Sequence, residues 1–255
     1  MQIKDSVAII TGGASGLGEA TIRTLVENGA RAAILDLQQD LGEKLVSELG
    51  DRVLFVKTDV TSTESVQNAI NATVEKFGFI SIVVNCAGVA DAKKVFGKKG
   101  PMPLEDFNRV IQINLLGTFN VIRLAVAKMV ENSPNSDGER GVIINTSSAA
   151  AFEGQIGQAA YSASKGGVVS MTLPIARELA AHGIRVVTIT PGLFETPMLM
   201  VMPEQVRDAL GKMVPFPPRL GKPSEYAMLV EEIIRNPMLN GATIRLDGAI
   251  RMQPK

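Results

Sequence analysis

At 255 residues, 45% of them hydrophobic, the chain can bury one sizeable core, and α/β folds of this size form one domain, so a single domain over 1–255 is expected. Lys+Arg and Asp+Glu are both 26, so no overall field recruits nucleic acid or an anionic membrane surface, and the expected partner is a small molecule. A single cysteine, Cys86, excludes an intrachain disulfide and fits a reducing compartment; no apolar run approaches the roughly 20 residues of a transmembrane helix, and residues 1–5 lead straight into the first strand, so the expectation is a cytoplasmic protein without a targeting segment.

Short apolar, β-branched runs recur at 7–10, 32–35, 53–56, 80–85, 142–145, 186–190 and 243–246, with helical spacing between them. The spacing predicts helices over 19–28, closed by Asn28-Gly29, over 39–49, closed by Gly50, and over 63–77, closed by Gly78. A long helix over 104–131 follows, then the polar loop 133–141, the fifth strand and a helical run over 166–181. This alternation predicts a doubly wound, Rossmann-like α/β fold with a seven-stranded parallel sheet flanked by helices. Two segments, 89–103 and 193–224, interrupt it. Both start at carboxyl ends of strands, where open α/β sheets place ligands, so they are expected to wall a substrate cleft. The second carries Leu193, Phe194, Met198, Leu199, Met200, Met202, Met213 and Phe216, which form either a lid over an acyl chain or ring system, or part of the core or of an oligomer interface.

Thr11-Gly12-Gly13-Ala14-Ser15-Gly16-Leu17-Gly18 joins the first strand to the first helix. Glycines there let the backbone approach a dinucleotide's pyrophosphate, and the helix start offers unpaired N–H groups and the positive end of its dipole. The spacing is Gly-x3-Gly-x-Gly and not the Gly-x-Gly-x2-Gly fingerprint, since position 21 is Thr, and a glycine-rich turn without a ligand is the other meaning of such a loop. Asp36 ends the second strand, 20 residues beyond Gly16. A carboxylate at that place accepts hydrogen bonds from the adenosine ribose and repels a 2′-phosphate. The positions where a cation would favour the phosphorylated cofactor hold Ser15 and Leu37, so NAD is the expected cofactor.

Further along, Tyr161-Ser162-Ala163-Ser164-Lys165 places a phenol and an ammonium one helical turn apart. A free tyrosine titrates near 10 and is a poor proton carrier at neutral pH, so a neighbouring cation that lowers that value is what acid/base chemistry requires. By itself the pair is also what a surface helix shows. Asn114 stands in the apolar run 110–116, where an amide is either a satisfied interior residue or a functional one. The sole imidazole, His182, lies at a helix end before Gly183 and reads as structural, and no metal site is expected.

Taken together, these motifs make the chain resemble the short-chain dehydrogenase/reductase family over nearly its whole length. On that resemblance Thr11, Gly12, Ser15, Gly16, Leu17 and Gly18 match the nucleotide loop, with Asp36 and Leu37 at the ribose and Asp59-Val60 at the adenine. Asn85-Cys86-Ala87-Gly88 matches an Asn-Asn-Ala-Gly element with Cys in its second place, and Asn85, Ala87 and Gly88 are carried over as cofactor residues. Asn114, Ser148, Tyr161 and Lys165 fall on the catalytic tetrad, Ser148 and not Ser147 because it lies 13 residues before Tyr161, and Pro191-Gly192 with Thr196 fall beside the nicotinamide. The resemblance implies that Tyr161 exchanges the alcohol proton, Ser148 binds the substrate oxygen, Lys165 holds ribose hydroxyls and favours the phenolate, and the Asn114 carbonyl holds a water linked to Lys165. It also implies a homotetramer in which the helices near 104–131 and 161–181 pair between subunits.

The stretches 151–155, 214–217, 219–221 and 246–252 look like the subfamily of type 2 3-hydroxyacyl-CoA dehydrogenases, also called type 10 17β-hydroxysteroid dehydrogenases. That resemblance adds Gln155 and Phe194 to Ser148 and Tyr161 as substrate residues. Where the subfamily tends to have Gly between Phe and Thr, this chain has Glu195. The expected reaction interconverts a secondary alcohol and a ketone, with 3-hydroxyacyl-CoA as substrate. Hydroxysteroids, reduction of 3-oxoacyl chains on a carrier protein, and a partner-binding scaffold are the other readings. Lys93, Lys94, Lys98 and Lys99 are expected either to hold the phosphates of a CoA thioester or to form a solvated surface.

Overall fold

The computed structural model describes residues 1–254, apart from the side chain of Met198, so the expectations for Met198 and Lys255 lie outside the described residues. Seven strands form one parallel sheet: β1 (Val7–Thr11), β2 (Arg31–Asp36), β3 (Val53–Lys57), β4 (Ile82–Asn85), β7 (Gly141–Thr146), β8 (Ile184–Pro191) and β9 (Thr243–Leu246). They lie in the order β3-β2-β1-β4-β7-β8-β9, so the winding reverses between β1 and β4. A cleft opens above the carboxyl ends of strands at such a reversal.

Successive strand residues face opposite sides of the sheet, and each side has its own core. Ala8 and Ile10 of β1 pack with α1 (Gly16–Glu27) and α9 (Pro223–Arg235). Ile9 packs on the other side with α3 (Thr63–Phe77), α5 (Thr118–Met129) and α6 (Ala159–Leu179). Burial on both faces is why the strands read as unbroken Val/Ile/Ala runs with no polar alternation. The remaining helix flanking the sheet before the reversal is α2 (Gln39–Leu49).

Three features depart from the sequence expectations. The long helix is α4 (Leu104–Ile111) and α5 joined by a π-helical segment, Gln112–Gly117, that contains Asn114. As one 26-residue unit, Leu104–Met129 is long and apolar enough by length and composition to cross a membrane, contrary to the expectation of no such span, and 44% of its most apolar stretch is buried within this fold. The interrupting segments are also partly regular: 89–103 holds a small antiparallel hairpin, β5 (Phe96–Gly97) with β6 (Gly100–Pro101), and 193–224 holds α7 (Pro197–Met200) and α8 (Glu204–Lys212).

Candidate active site

The strand ends build a cleft of about 820 Å³. One end is the turn between β1 and α1. Gly12 and Gly16 have positive φ, 62° and 56°, which explains glycine at both. Gly18 packs so tightly that a Cβ would lie 2.2 Å from the Gly12 carbonyl oxygen. Ser15 stands at the N-cap of α1 but makes no cap hydrogen bond with its side chain, and Ser15, Gly16, Leu17 and Gly18 line the cleft. Asp36, Leu37 and Asp59, Val60 continue the same wall. The Asp36 carboxylate is oriented by two backbone amides, Ala14 N to Oδ2 and Gln38 N to Oδ1, both at 3.0 Å, which leaves each oxygen a second lone pair.

At the other end Ser148, Tyr161 and Lys165 meet, together with Ala87, Gly88, Pro191, Gly192, Phe194 and Thr196. Lys165 is buried. Its Nζ donates to the Thr146 carbonyl at 2.8 Å, and its own carbonyl accepts the Ser147 hydroxyl at 2.7 Å. Burial lowers the ammonium from its ordinary range to about 8. Gly88 gives it room, since a Cβ there would lie 3.5 Å from Nζ and 3.2 Å from Asn114 Oδ1. Ser148 Oγ accepts the Ala150 amide at 3.1 Å, so its hydroxyl proton is turned toward the Tyr161 oxygen and the cleft.

One expectation needs correction here. Lys165 was expected to lower the Tyr161 phenol, yet burial raises it, with the Ser148 hydroxyl as the opposing influence. The ammonium is turned to Thr146 and sits 5.9 Å from the ring centroid, and it is itself near the edge of its charged range, so its field at the phenol is weaker than helix spacing alone suggests. Asn114, expected to work through its carbonyl, is also held by its side chain. Nδ2 donates to Val89 O at 2.9 Å and Ser164 Oγ at 3.0 Å, and Oδ1 accepts Val89 N at 2.8 Å. Its carbonyl accepts the Thr118 hydroxyl at 2.8 Å, and one lone pair remains. The π segment is what turns this amide toward 89 and α6 together.

Other candidate residues stand away from the cleft surface. Thr11 and Asn85 are buried one layer behind it: Thr11 Oγ1 accepts Ala87 N at 3.2 Å, and Asn85 Nδ2 bonds Asn145 Oδ1 at 2.9 Å, so they shape the strand ends without lining the cleft. Gln155 turns outward, its amide donating to Gln253 O at 3.0 Å, because the segment after Ser148 is engaged by the C-terminal chain, where Ile156 N also donates to Pro254 O at 3.0 Å. Of the apolar residues expected as a lid, Phe194 and Leu199 line the cleft, whereas Met200, Met202, Met213 and Phe216 are exposed, as is Glu195. None of the four lysines lines the cleft either; Lys93 pairs with Asp106 at 2.6 Å, and the rest lie on or beside the exposed hairpin. Besides Lys165, Arg109 reaches the cleft wall, paired with Asp91 and one helical turn before the lining residue Ile113. Thr146 is another cleft residue that the motifs did not single out, although it directly precedes Ser147-Ser148.

Residues 6–207 match the family model described as short chain dehydrogenase. A 3-hydroxyacyl-CoA dehydrogenase type-2 of Drosophila melanogaster is 58% identical over 254 residues, covering 99% of this chain and all of that protein. The crystal structure of a 3-hydroxyacyl-CoA dehydrogenase type-2 from Mycobacterium avium superposes with a TM-score of 0.94 at 40% identity, covering 100% of both chains. A 3-ketoacyl-(acyl-carrier-protein) reductase from Brucella melitensis, complexed with NADH, superposes at 0.86 with 30% identity over 98% of this chain and 100% of that one.

Proposed function

The chain belongs to the short-chain dehydrogenase family, and from that premise we propose that it interconverts 3-hydroxyacyl-CoA and 3-oxoacyl-CoA with NAD. The observation that carries the reaction class is the meeting of Ser148, Tyr161 and Lys165 at one end of a cleft whose other end is a glycine turn beside Asp36. The substrate class is supported by the relatives named for it.

The cleft fits NAD. The α1 start, which the Ser15 side chain leaves uncapped, would take the pyrophosphate, Asp36 the adenosine ribose, Asp59 and Val60 the adenine, and Pro191, Gly192 and Thr196 the nicotinamide. Lys165 would hold the neighbouring ribose hydroxyls. Asp36 repels a 2′-phosphate, and its neighbours Leu37 and Gln38 bring no cation to neutralise one. When bound, NAD supplies the acceptor for the hydride that leaves the carbinol carbon. The side chains manage the proton and the charge: Ser148 donates to the substrate oxygen, where negative charge accumulates. Tyr161, as the phenolate that Lys165 favours, takes the alcohol proton and becomes the neutral phenol.

Steady-state NADH formation with a panel of 3-hydroxyacyl-CoA thioesters, hydroxysteroids and simple alcohols tests the reading. The expected result is the highest kcat/KM with a 3-hydroxyacyl-CoA; a higher value with a steroid would replace the substrate class. The assembly that fits is a homotetramer built on the exposed apolar face of α5 and α6, where Leu116, at the junction into α5, Phe119 and Leu173 are 45%, 46% and 44% exposed.

A further inference from the structure

A fully buried tyrosine needs a reason for its oxygen, because phenylalanine fills nearly the same volume and leaves no polar group to satisfy. Tyr226, on α9, has no exposed surface and does not line the cleft. Its oxygen lies 2.7 Å from Thr146 Oγ1 and 3.7 Å from Cys86 Sγ, and Thr146 Oγ1 lies 3.5 Å from that sulfur. The three groups can close a ring in which each donates once and accepts once: the Thr146 hydroxyl to Cys86 Sγ, the thiol to the Tyr226 oxygen, and the phenol to Thr146 Oγ1. Burial pushes both the thiol and the phenol above their ordinary ranges, so the ring stays neutral and sets geometry without supplying protons.

The ring stands where the sheet ladder stops. β4 and β7 pair as far as Asn85 with Asn145, one residue short of Cys86 and Thr146. Beyond that point the ring joins the two strand ends to each other and to α9. Thr146 is also the residue whose carbonyl takes the Lys165 ammonium, and the next residue, Ser147, holds the Lys165 carbonyl. We propose that Tyr226 is a positioning residue: by holding Thr146 it holds the carbonyl that aims Lys165 Nζ into the cleft. It touches neither substrate nor cofactor. The titratable groups facing Lys165 are Tyr161 from its own helix and Cys86 from the end of β4, with Tyr226 behind Thr146.

The inference rests on the dehydrogenase reading, so its test includes a measurement that needs no turnover. In NAD-free protein labelled at the lysine side chains, with K165R used to assign the resonance, Lys165 of the parent is expected to titrate at about 8. In Y226F the freed carbonyl stabilises the ammonium less, and its titration falls by at least about half a unit. In the activity assay kcat falls roughly three- to tenfold and the ascending limb of the pH–rate profile moves up, with KM for the alcohol little changed. T146V breaks the same ring from another corner. The double variant is expected to be no worse than the poorer single one, because both remove one unit. A Lys165 titration and a pH–rate profile that superimpose on those of the parent, in both single variants, would overturn the proposal. A parent inactive on every 3-hydroxyacyl-CoA would refute the substrate reading instead, and the Lys165 titration would still decide this one.

Discussion

Lys165 combines two conflicting demands: it must be charged to favour a phenolate, and it is buried where charge is costly. The unfolded lysine keeps its proton up to its ordinary 10.5, whereas the folded one loses it at about 8. Between those values the unfolded state binds more protons, so this residue makes the NAD-free protein more stable as pH rises from about 8 toward 10. The melting temperature of the parent minus that of K165M is therefore expected to increase over this interval; a difference that stays flat would mean the ammonium is not held as the structure shows. Tyr161→Phe removes the proton carrier alone. Turnover is expected to fall about 10²–10⁴-fold while NADH binding, read by fluorescence, stays within a few-fold. At the far end of the cleft, Asp36→Ala is expected to narrow the ratio of kcat/KM between NAD and NADP. The motif spacing already named Tyr161, Lys165 and Asp36. It could not give the direction of the phenol's shift, because that depends on how much protein surrounds the hydroxyl and on where the ammonium points.

At the level of elements, the strands and the first three helices are legible because their periods and glycine stops are local. The π segment is not, since its register depends on Asn114 reaching Val89 and Ser164 from a different part of the fold. Nor does strand alternation announce α9, although Pro223 in its first turn and the apolar spacing of Tyr226, Ala227, Val230, Ile233 and Ile234 are helix signals. What ends α9 is Arg185 of β8. Its buried guanidinium donates to the carbonyls of Ile233, Ile234, Asn236 and Leu239 and pairs with Glu139 at 2.7 Å. Removing Arg185 leaves these four carbonyls without their donor and leaves the buried Glu139 only the Met1 ammonium, at 2.9 Å, as partner. Arg185→Met is therefore expected to cost roughly 3–5 kcal/mol in denaturant unfolding. Neither Arg185 nor Glu139 lines the cleft, so kcat of the molecules that remain folded should be unchanged; a loss below about 1 kcal/mol would show that the pair and its capping bonds contribute little.

For the whole molecule, the exposed apolar face of α5 and α6 carries the assembly reading. Phe119→Asp places a charge in that face without touching the cleft or either core cluster. Light scattering is expected to show a smaller assembly for this variant than for the parent; an unchanged mass would remove this face from the interface. The alternation of apolar runs, the glycine turn, Asp36 and the Tyr161/Lys165 spacing were enough to define the doubly wound sheet and the class of chemistry, because local periodicity and motif spacing act over a few residues. Which candidates reach the cleft was settled by packing between distant segments: Gln155 is drawn outward to Gln253, Thr11 and Asn85 are withdrawn behind the strand ends, and Thr146 is fixed by Tyr226 from 80 residues away. Such contacts depend on the assembled sheet and the docking of α9, and no spacing along the chain encodes them.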